Sequence, residues 1–181
     1  PPLRFERVRF ELASRGKRSR VVYVDPRRWG RMILAKEDIA VWTSLGPDPL
    51  EDGIDLATLE AKLSRRKKRS IKEVLMDQTL IAGVGNIQAI EALWKAGIHP
   101  RSEARAISSA DLRAIARGLR WTIDRTLRDL AKAGMGGENP FRIYGRKGSP
   151  CPRCGCRLES FVLGGRTTTA CSGCQVLRSV R

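Results

Sequence analysis

The chain has little histidine, tyrosine or acidic side chain, and it contains no long apolar run. Histidine occurs once, at His99, ahead of Pro100 at the expected exit of a helix; a packing role suits that position better than a catalytic one. No stretch approaches the roughly 20 apolar residues that a membrane-spanning helix requires. No secretory signal pattern is visible either, so neither a membrane protein nor an exported one is expected. Hydrophobic residues make up 41% of the 181, enough for a core but not a generous one, which leaves room for one domain or two small ones. All five cysteines lie from Cys151 onward, so no disulfide framework runs through the fold. In a chain without a secretory signal, such clustering favours a metal in a reducing compartment.

Acidic residues number 19 against 35 lysines and arginines, a formal net charge of +16 with a pI near 10.7. A surplus of this size points to a polyanionic partner, nucleic acid before an anionic membrane. The stretch most suited to such a partner is LMDQTLIAGVGNIQAIEALWKAGIHP, residues 75–100. Gly83-Val84-Gly85-Asn86 reads as a tight turn, followed at once by Ile87, Ile90 and Leu93 at helical spacing and ended by Gly97 and Pro100. Glycines let backbone approach a ligand closely, and a helix that opens directly afterwards offers unpaired N–H groups to a phosphate. Asn86 adds an amide donor. An ordinary corner between two helices is the competing reading.

Upstream, Arg4 to Leu12 alternates as a strand, and Val21 to Val24 forms a second. The loop Asp25-Pro26-Arg27-Arg28-Trp29-Gly30 leads to a third strand at Met32-Ile33-Leu34. Arginines beside an exposed tryptophan make a nucleic-acid finger, since Arg reads base edges and Trp wedges into a stack; a structural Trp with solvated arginines is the alternative. Gly46-Pro47-Asp48-Pro49 is a rigid connector, after which Leu56, Leu59 and Leu63 suggest a short helix. The basic run Arg65 to Arg69 precedes a capping box of Ser70 and Glu73. A long amphipathic helix, capped by Ser109, then carries Leu112, Ile115, Leu119, Ile123, Leu127 and Leu130 on a core stripe until Gly134, where a flexible loop extends to Asn139.

The most specific pattern is Cys151-x-x-Cys154 and Cys171-x-x-Cys174, separated by sixteen residues. That spacing is typical of a zinc ribbon, with a β-hairpin carrying Arg166 between two knuckles and one structural zinc in place of a core. Iron or chance pairing is the alternative, and Cys156 is a bystander.

In this order the stretches DPRRWG, LGPDPL, IKEVLMDQTLIAGVGNIQAIEALWKAGIHP, IYGRKGSPCPRCG and RTTTACSGCQ resemble the bacterial formamidopyrimidine-DNA glycosylases more than the related endonuclease VIII branch. The resemblance implies an α+β fold in three parts. These are a partial N-terminal β-sandwich over residues 1–50, a helix–two-turn–helix domain over 51–145 and a zinc finger over 146–181. It implies that Asn86 and Lys72 grip phosphates flanking a lesion, and that Arg27 and Trp29 enter the gap left by an everted nucleotide, with Trp where the family usually has Phe and Arg28 beside them as a further DNA-binding residue. Lys67 and Lys68 fall in its basic DNA-contacting run, and Arg166 contacts phosphate and donates a proton in δ-elimination. The implied partner is damaged double-stranded DNA, met by a monomer in a bacterial cytoplasm. The implied activity is base-excision repair of oxidised purines such as 8-oxoguanine and formamidopyrimidines, by glycosylase and β,δ-elimination lyase chemistry.

The resemblance also has gaps. The family begins with Pro-Glu, the amine nucleophile and its proton-handling partner, and a lysine of the N-terminal domain assists. Here Pro1 is followed by Pro2, and nothing matches the pair or the lysine; a His-x-His of the family is replaced by Phe5 and Arg7, and a Tyr by Gln88. An inactive C-terminal fragment is therefore expected, with a non-catalytic zinc-containing DNA- or RNA-binding module as the rival reading.

Overall fold

In the hairpin that opens the chain, side chains alternate between two faces except at a register shift between Glu6 and Val8, and Arg15-Gly16 supplies the reversal. Strands β1 (Glu6–Ser14) and β2 (Lys17–Val24) pair antiparallel, from Glu6 opposite Val24 to Ser14 opposite Lys17. Both turn residues have positive φ, 47° and 76°, which matches the twist of a two-residue hairpin loop. This computed structural model describes residues 2–37, 39–64, 69–133 and 141–180; Lys67 and Lys68 lie outside them. The described chain forms two compact units, Pro1–Ile39 and Ala40–Arg181. In the first unit the expected third strand does not form. Met32, Ile33 and Leu34 are exposed and pair with no described strand, and extended backbone without a ladder is not held.

The second unit begins with a short helix α1 (Ala40–Thr43), and Asp55 then caps α2 (Leu56–Ser64) by accepting from the N–H groups of Ala57 and Thr58. Leu59 and Leu63 are buried beneath α2. The Ser70–Glu73 capping box opens α3 (Ile71–Leu75) as its sequence requires. Two turns follow before α4 (Asn86–Ala96), which Gly97 ends in the left-handed conformation at φ 75°. Helix α5 (Ser109–Ala133) packs across α4.

Two expectations for α5 need correction. Its reciprocal cap is Ser108 with Asp111, the Asp111 N–H donating to Ser108 Oγ and the Ser108 N–H to Asp111 Oδ2; the Ser109 hydroxyl instead donates to Glu60. The apolar stripe is core only in its first half. Leu112, Ile115 and Leu119 are buried, Ile123 is partly covered and Leu127 is 48% exposed. The cause is length: α5 has 25 residues and its partner α4 has 11, so the end of α5 overhangs.

Strands β3 (Glu159–Leu163) and β4 (Arg166–Ala170) form the expected second hairpin around Gly164-Gly165. It does not stand alone. Ile90 and Trp94 of α4 share a buried cluster with Ile143, Cys151, Leu158 and Cys171. Gln175 accepts from the Cys171 N–H at 2.8 Å and donates to the Ile98 carbonyl at 2.9 Å. The helices and the cysteine-bearing segment are thus one folded body.

Candidate nucleic-acid interface and metal centre

The turn before α4 is held from behind by a side chain that periodicity does not reveal. Gln78 accepts the Gly83 N–H at 2.8 Å and donates to the Val84 carbonyl at 2.8 Å and the Met76 carbonyl at 3.1 Å. One amide thereby locks both sides of the glycine turn; the available signal was a glutamine between a helix and a G-x-G. Gly85 has no side chain with which to cap α4, so the first N–H groups of that helix remain for a ligand.

The second hairpin comes to the same place. Asn86 Nδ2 donates to the Thr167 carbonyl at 3.0 Å, across 81 positions of sequence. Met76, Gln78, Gly83, Val84, Gly85, Asn86 and Arg166 line one concavity of about 300 Å³. Lys72 sits fully buried beside it, its ammonium 3.5 Å from the Leu163 carbonyl. The hairpin tip reaches α3 so closely that a Cβ on Gly164 would stand 2.8 Å from Glu73 Cγ, and Gly164 also needs φ of 58°. Asn86, Lys72 and Arg166, far apart in sequence, therefore meet in one region.

The electrostatics favour an anion. Burial first, and the nearby Arg166 second, pull the Lys72 ammonium from 10.5 down to about 8, while Glu73 works weakly the other way. Glu73 is itself occupied by the Ser70 hydroxyl and N–H. Because the folded pKa lies below the unfolded one, the native state binds fewer protons between these values, and Lys72 burial costs less as pH rises through about 8. A phosphate bound here acts in the opposite sense, since it favours the charged amine. The contribution of Lys72 to anion binding is thus present below about pH 8 and fades above it. Affinity for an abasic-site duplex, measured by anisotropy from about pH 7 to about pH 9.5, should fall more steeply for the native chain than for Lys72→Met. Parallel profiles would show that Lys72 does not meet the anion.

In the first unit, Asp25 organises the arginine–tryptophan loop. Its carboxylate accepts from the N–H groups of Arg27 at 3.1 Å, Arg28 at 2.9 Å and Gly30 at 2.8 Å, and from the Tyr23 hydroxyl at 3.3 Å. The Gly30 N–H is the largest cause that lowers its pKa; burial opposes it, and the Arg27 and Arg28 N–H groups add to the lowering. Arg28 takes a positive φ of 57° inside this nest. Trp29 is 72% exposed, with the Arg27 guanidinium 4.2 Å from its ring centroid. The loop presents an aromatic face and two cations to solvent.

The four expected cysteines converge. Cys151, Cys154, Cys171 and Cys174 bring their sulfurs within 4.8 Å of one another. Cys151 and Cys174 sulfurs are 3.8 Å apart, and those of Cys154 and Cys171 are 3.5 Å apart. A tetrahedron of thiolates around an ion at about 2.3 Å has edges of about 3.8 Å, so this donor set fits a tetrahedral metal. Burial opposes the Cys151 thiolate, but the N–H groups of Arg153 and Cys154, the Trp94 indole and the Cys171 thiol outweigh it and bring Cys151 down to about 6. Cys156 stands outside the four-sulfur cluster.

A further buried group holds the segment leading into that centre. Glu91 of α4 is 1% exposed, and its carboxylate accepts from the N–H groups of Arg142 at 2.9 Å, Ile143 at 2.8 Å and Tyr144 at 2.9 Å. The overlooked signal was a lone carboxylate between Ile90 and Ala92 on an otherwise apolar helix.

Residues 45–135 match the family model described as the formamidopyrimidine-DNA glycosylase H2TH domain. A formamidopyrimidine-DNA glycosylase of Roseiflexus sp. (strain RS-1) is 40% identical over 86% of this chain and 61% of its own length. The MutM (Fpg) protein of Thermus thermophilus superposes with a TM-score of 0.77 at 31% identity, over 97% of this chain and 70% of the other. A Lactococcus lactis Fpg in complex with abasic-site DNA gives 0.82 at 25% identity, over 97% and 67%. The chain spans about 60% of the length of the curated relatives it matches.

Proposed function

The chain belongs to the formamidopyrimidine-DNA glycosylase family, and on that premise we propose that it carries the DNA-gripping part of a base-excision repair enzyme acting on damaged duplex DNA. The observation that carries the proposal is the meeting of the α4 N-terminus, Asn86 and Arg166 around one concavity, with Lys72 buried beside it. Backbone N–H groups, an amide and two cations together suit consecutive phosphates. In this reading Arg27 and Trp29 fill the space that an everted nucleotide leaves, Trp by stacking and Arg by its hydrogen-bonding fork, and Arg28 adds a DNA-binding cation beside them. Lys67 and Lys68 add charge near the backbone. Arg166, at the first position after the hairpin turn, contacts phosphate and hands over a proton in the final elimination.

The four thiolates hold one structural zinc, which keeps the Arg166 hairpin in position. The substrates that fit the family are oxidised purines, including 8-oxoguanine and formamidopyrimidines, in duplex DNA met by a monomer in the bacterial cytoplasm. The chemistry needs an unprotonated amine at the sugar carbon and an acid beside it, and the family's Pro-Glu pair occurs nowhere in these 181 residues. These 181 residues by themselves should bind without forming the Schiff base; the rival reading is a non-catalytic zinc-containing DNA- or RNA-binding module.

Titration of an abasic-site duplex at several salt concentrations tests the assignment. The native chain should release about four to six counterions, and Asn86→Ala and Arg166→Ala should each weaken binding about tenfold, against little change for Lys36→Ala. Equal losses at all three would reduce the site to generic charge. Borohydride added to the same mixtures should trap no efficient adduct at Pro1; one that formed would overturn the non-covalent reading.

A further inference from the structure

We propose that the outer face of α5 is a second nucleic-acid surface, which takes up another duplex segment while the first is gripped at the turn before α4. The inference rests on that reading of the turn. Leu112, Ile115, Leu119 and Thr122 form the buried side of α5. Gly118 lies on that side too, close against the Ala92 carbonyl of α4. A helix turns by about 100° per residue, so Arg113, Arg117, Arg120, Asp124 and Arg128 share a stripe about 80° wide on the opposite side. All four arginines are exposed. Asp124 pairs with Arg120 at 3.0 Å; among the described residues, Arg113, Arg117 and Arg128 meet no carboxylate.

A helix face that only meets water tends to alternate its charges, because like charges three or four positions apart repel each other. This stripe does the reverse. Arg113 and Arg117 stand four positions apart, Arg117 and Arg120 three, and Asp124 is the single acid among four cations. From Arg113 to Arg128 the helix runs about 22 Å, a length over which one DNA strand presents about six phosphates. Planar guanidinium forks bind phosphate oxygens in pairs, and a strand offers those oxygens in a regular row. No residue of α5 lines the concavity of Asn86 and Arg166, and the stripe faces away from α4. A duplex seated at the concavity therefore leaves the stripe open to a second one.

The test is exchange between duplexes. The chain binds a fluorescent abasic-site duplex, and the release rate is followed as an unlabelled duplex is raised in concentration. With the native chain the rate should climb about fivefold or more, because the competitor is engaged before the first duplex leaves. With Arg113→Gln, Arg117→Gln and Arg128→Gln combined, the rate should stay flat. Affinity of that variant for a single duplex at physiological salt should remain within about twofold of native. The three corresponding Arg→Lys exchanges, which keep the charge, should restore part of the climb. A flat rate in the native chain, or a climb that the Gln variant keeps, would overturn the second surface and leave the α4 grip standing. So would a Gln variant that loses as much single-duplex affinity as Asn86→Ala, since the stripe would then touch the same duplex. Polyglutamate that speeds release where duplex does not would assign the face to an acidic polypeptide instead. A native chain without affinity for duplex DNA would overturn both readings.

Discussion

Cys171→Ser should take up no metal and lose the ordered segment from Cys151 to Cys174, whereas Cys156→Ser should bind one ion per chain as the native protein does. Cys171 is fully buried, its sulfur lies 3.5 Å from that of Cys154, and a serine hydroxyl cannot replace a thiolate in such a set. Coordination of a structural zinc supplies about 10 kcal/mol of apparent folding energy, more than so short a segment gains from its own apolar contacts. The loss should not stay local. Ile90 and Trp94 of α4 pack on Cys151 and Cys171, and Gln175 bonds both the Cys171 N–H and the Ile98 carbonyl. The hairpin that brings Arg166 to the concavity should come free, and affinity for duplex DNA should drop with it. Metal content by mass spectrometry and a binding titration on the same samples check both halves. Metal retained by Cys171→Ser but lost by Cys156→Ser would reassign the ligands.

Glu91→Ala should cost about 3–5 kcal/mol of stability, the most expected of any single change on α4. The carboxylate is the acceptor for three consecutive N–H groups, from Arg142 to Tyr144, in a place water does not reach. Removing it takes the acceptor from the buried Ile143 N–H and the part-buried Arg142 and Tyr144 N–H groups, and the alanine leaves a cavity. Glu91→Gln should cost less, about 2–3 kcal/mol, because Oε1 can keep two of the donors while the new NH₂ opposes the third. Urea denaturation followed by circular dichroism would measure both. Two small and equal losses would show that the Arg142–Tyr144 segment is held by something other than Glu91. Because this segment runs into the first knuckle, Glu91→Ala should also weaken metal retention under a chelator.

Much of this protein was legible as a string because its signals are local. The Ser70–Glu73 box, the glycine after Ala96 and the Gly164-Gly165 reversal each depend on backbone geometry within a few residues, and each formed as its composition demands. The cysteine pairs are equally local, since two knuckles need only two thiols each at the right spacing, and their sulfurs do converge. Charge pointed to a polyanion for the same reason: it is a sum and needs no fold.

Tertiary structure decided everything that required two distant segments to meet. Nothing in the helical period of α5 reveals that α4 covers only its first half, leaving Leu127 exposed, or that the close crossing leaves 2.5 Å between a Cβ on Gly118 and the Ala92 carbonyl. Ser108 rather than Ser109 caps α5 because Glu60, on α2, takes the second hydroxyl. Met32 to Leu34 looked like a strand, yet a strand exists only with a neighbour to bond. The buried charge of Lys72, the clasp of Gln78 and the three-donor grip of Glu91 are likewise invisible in periodicity, because burial and hydrogen-bond partners come from segments that the fold alone brings together.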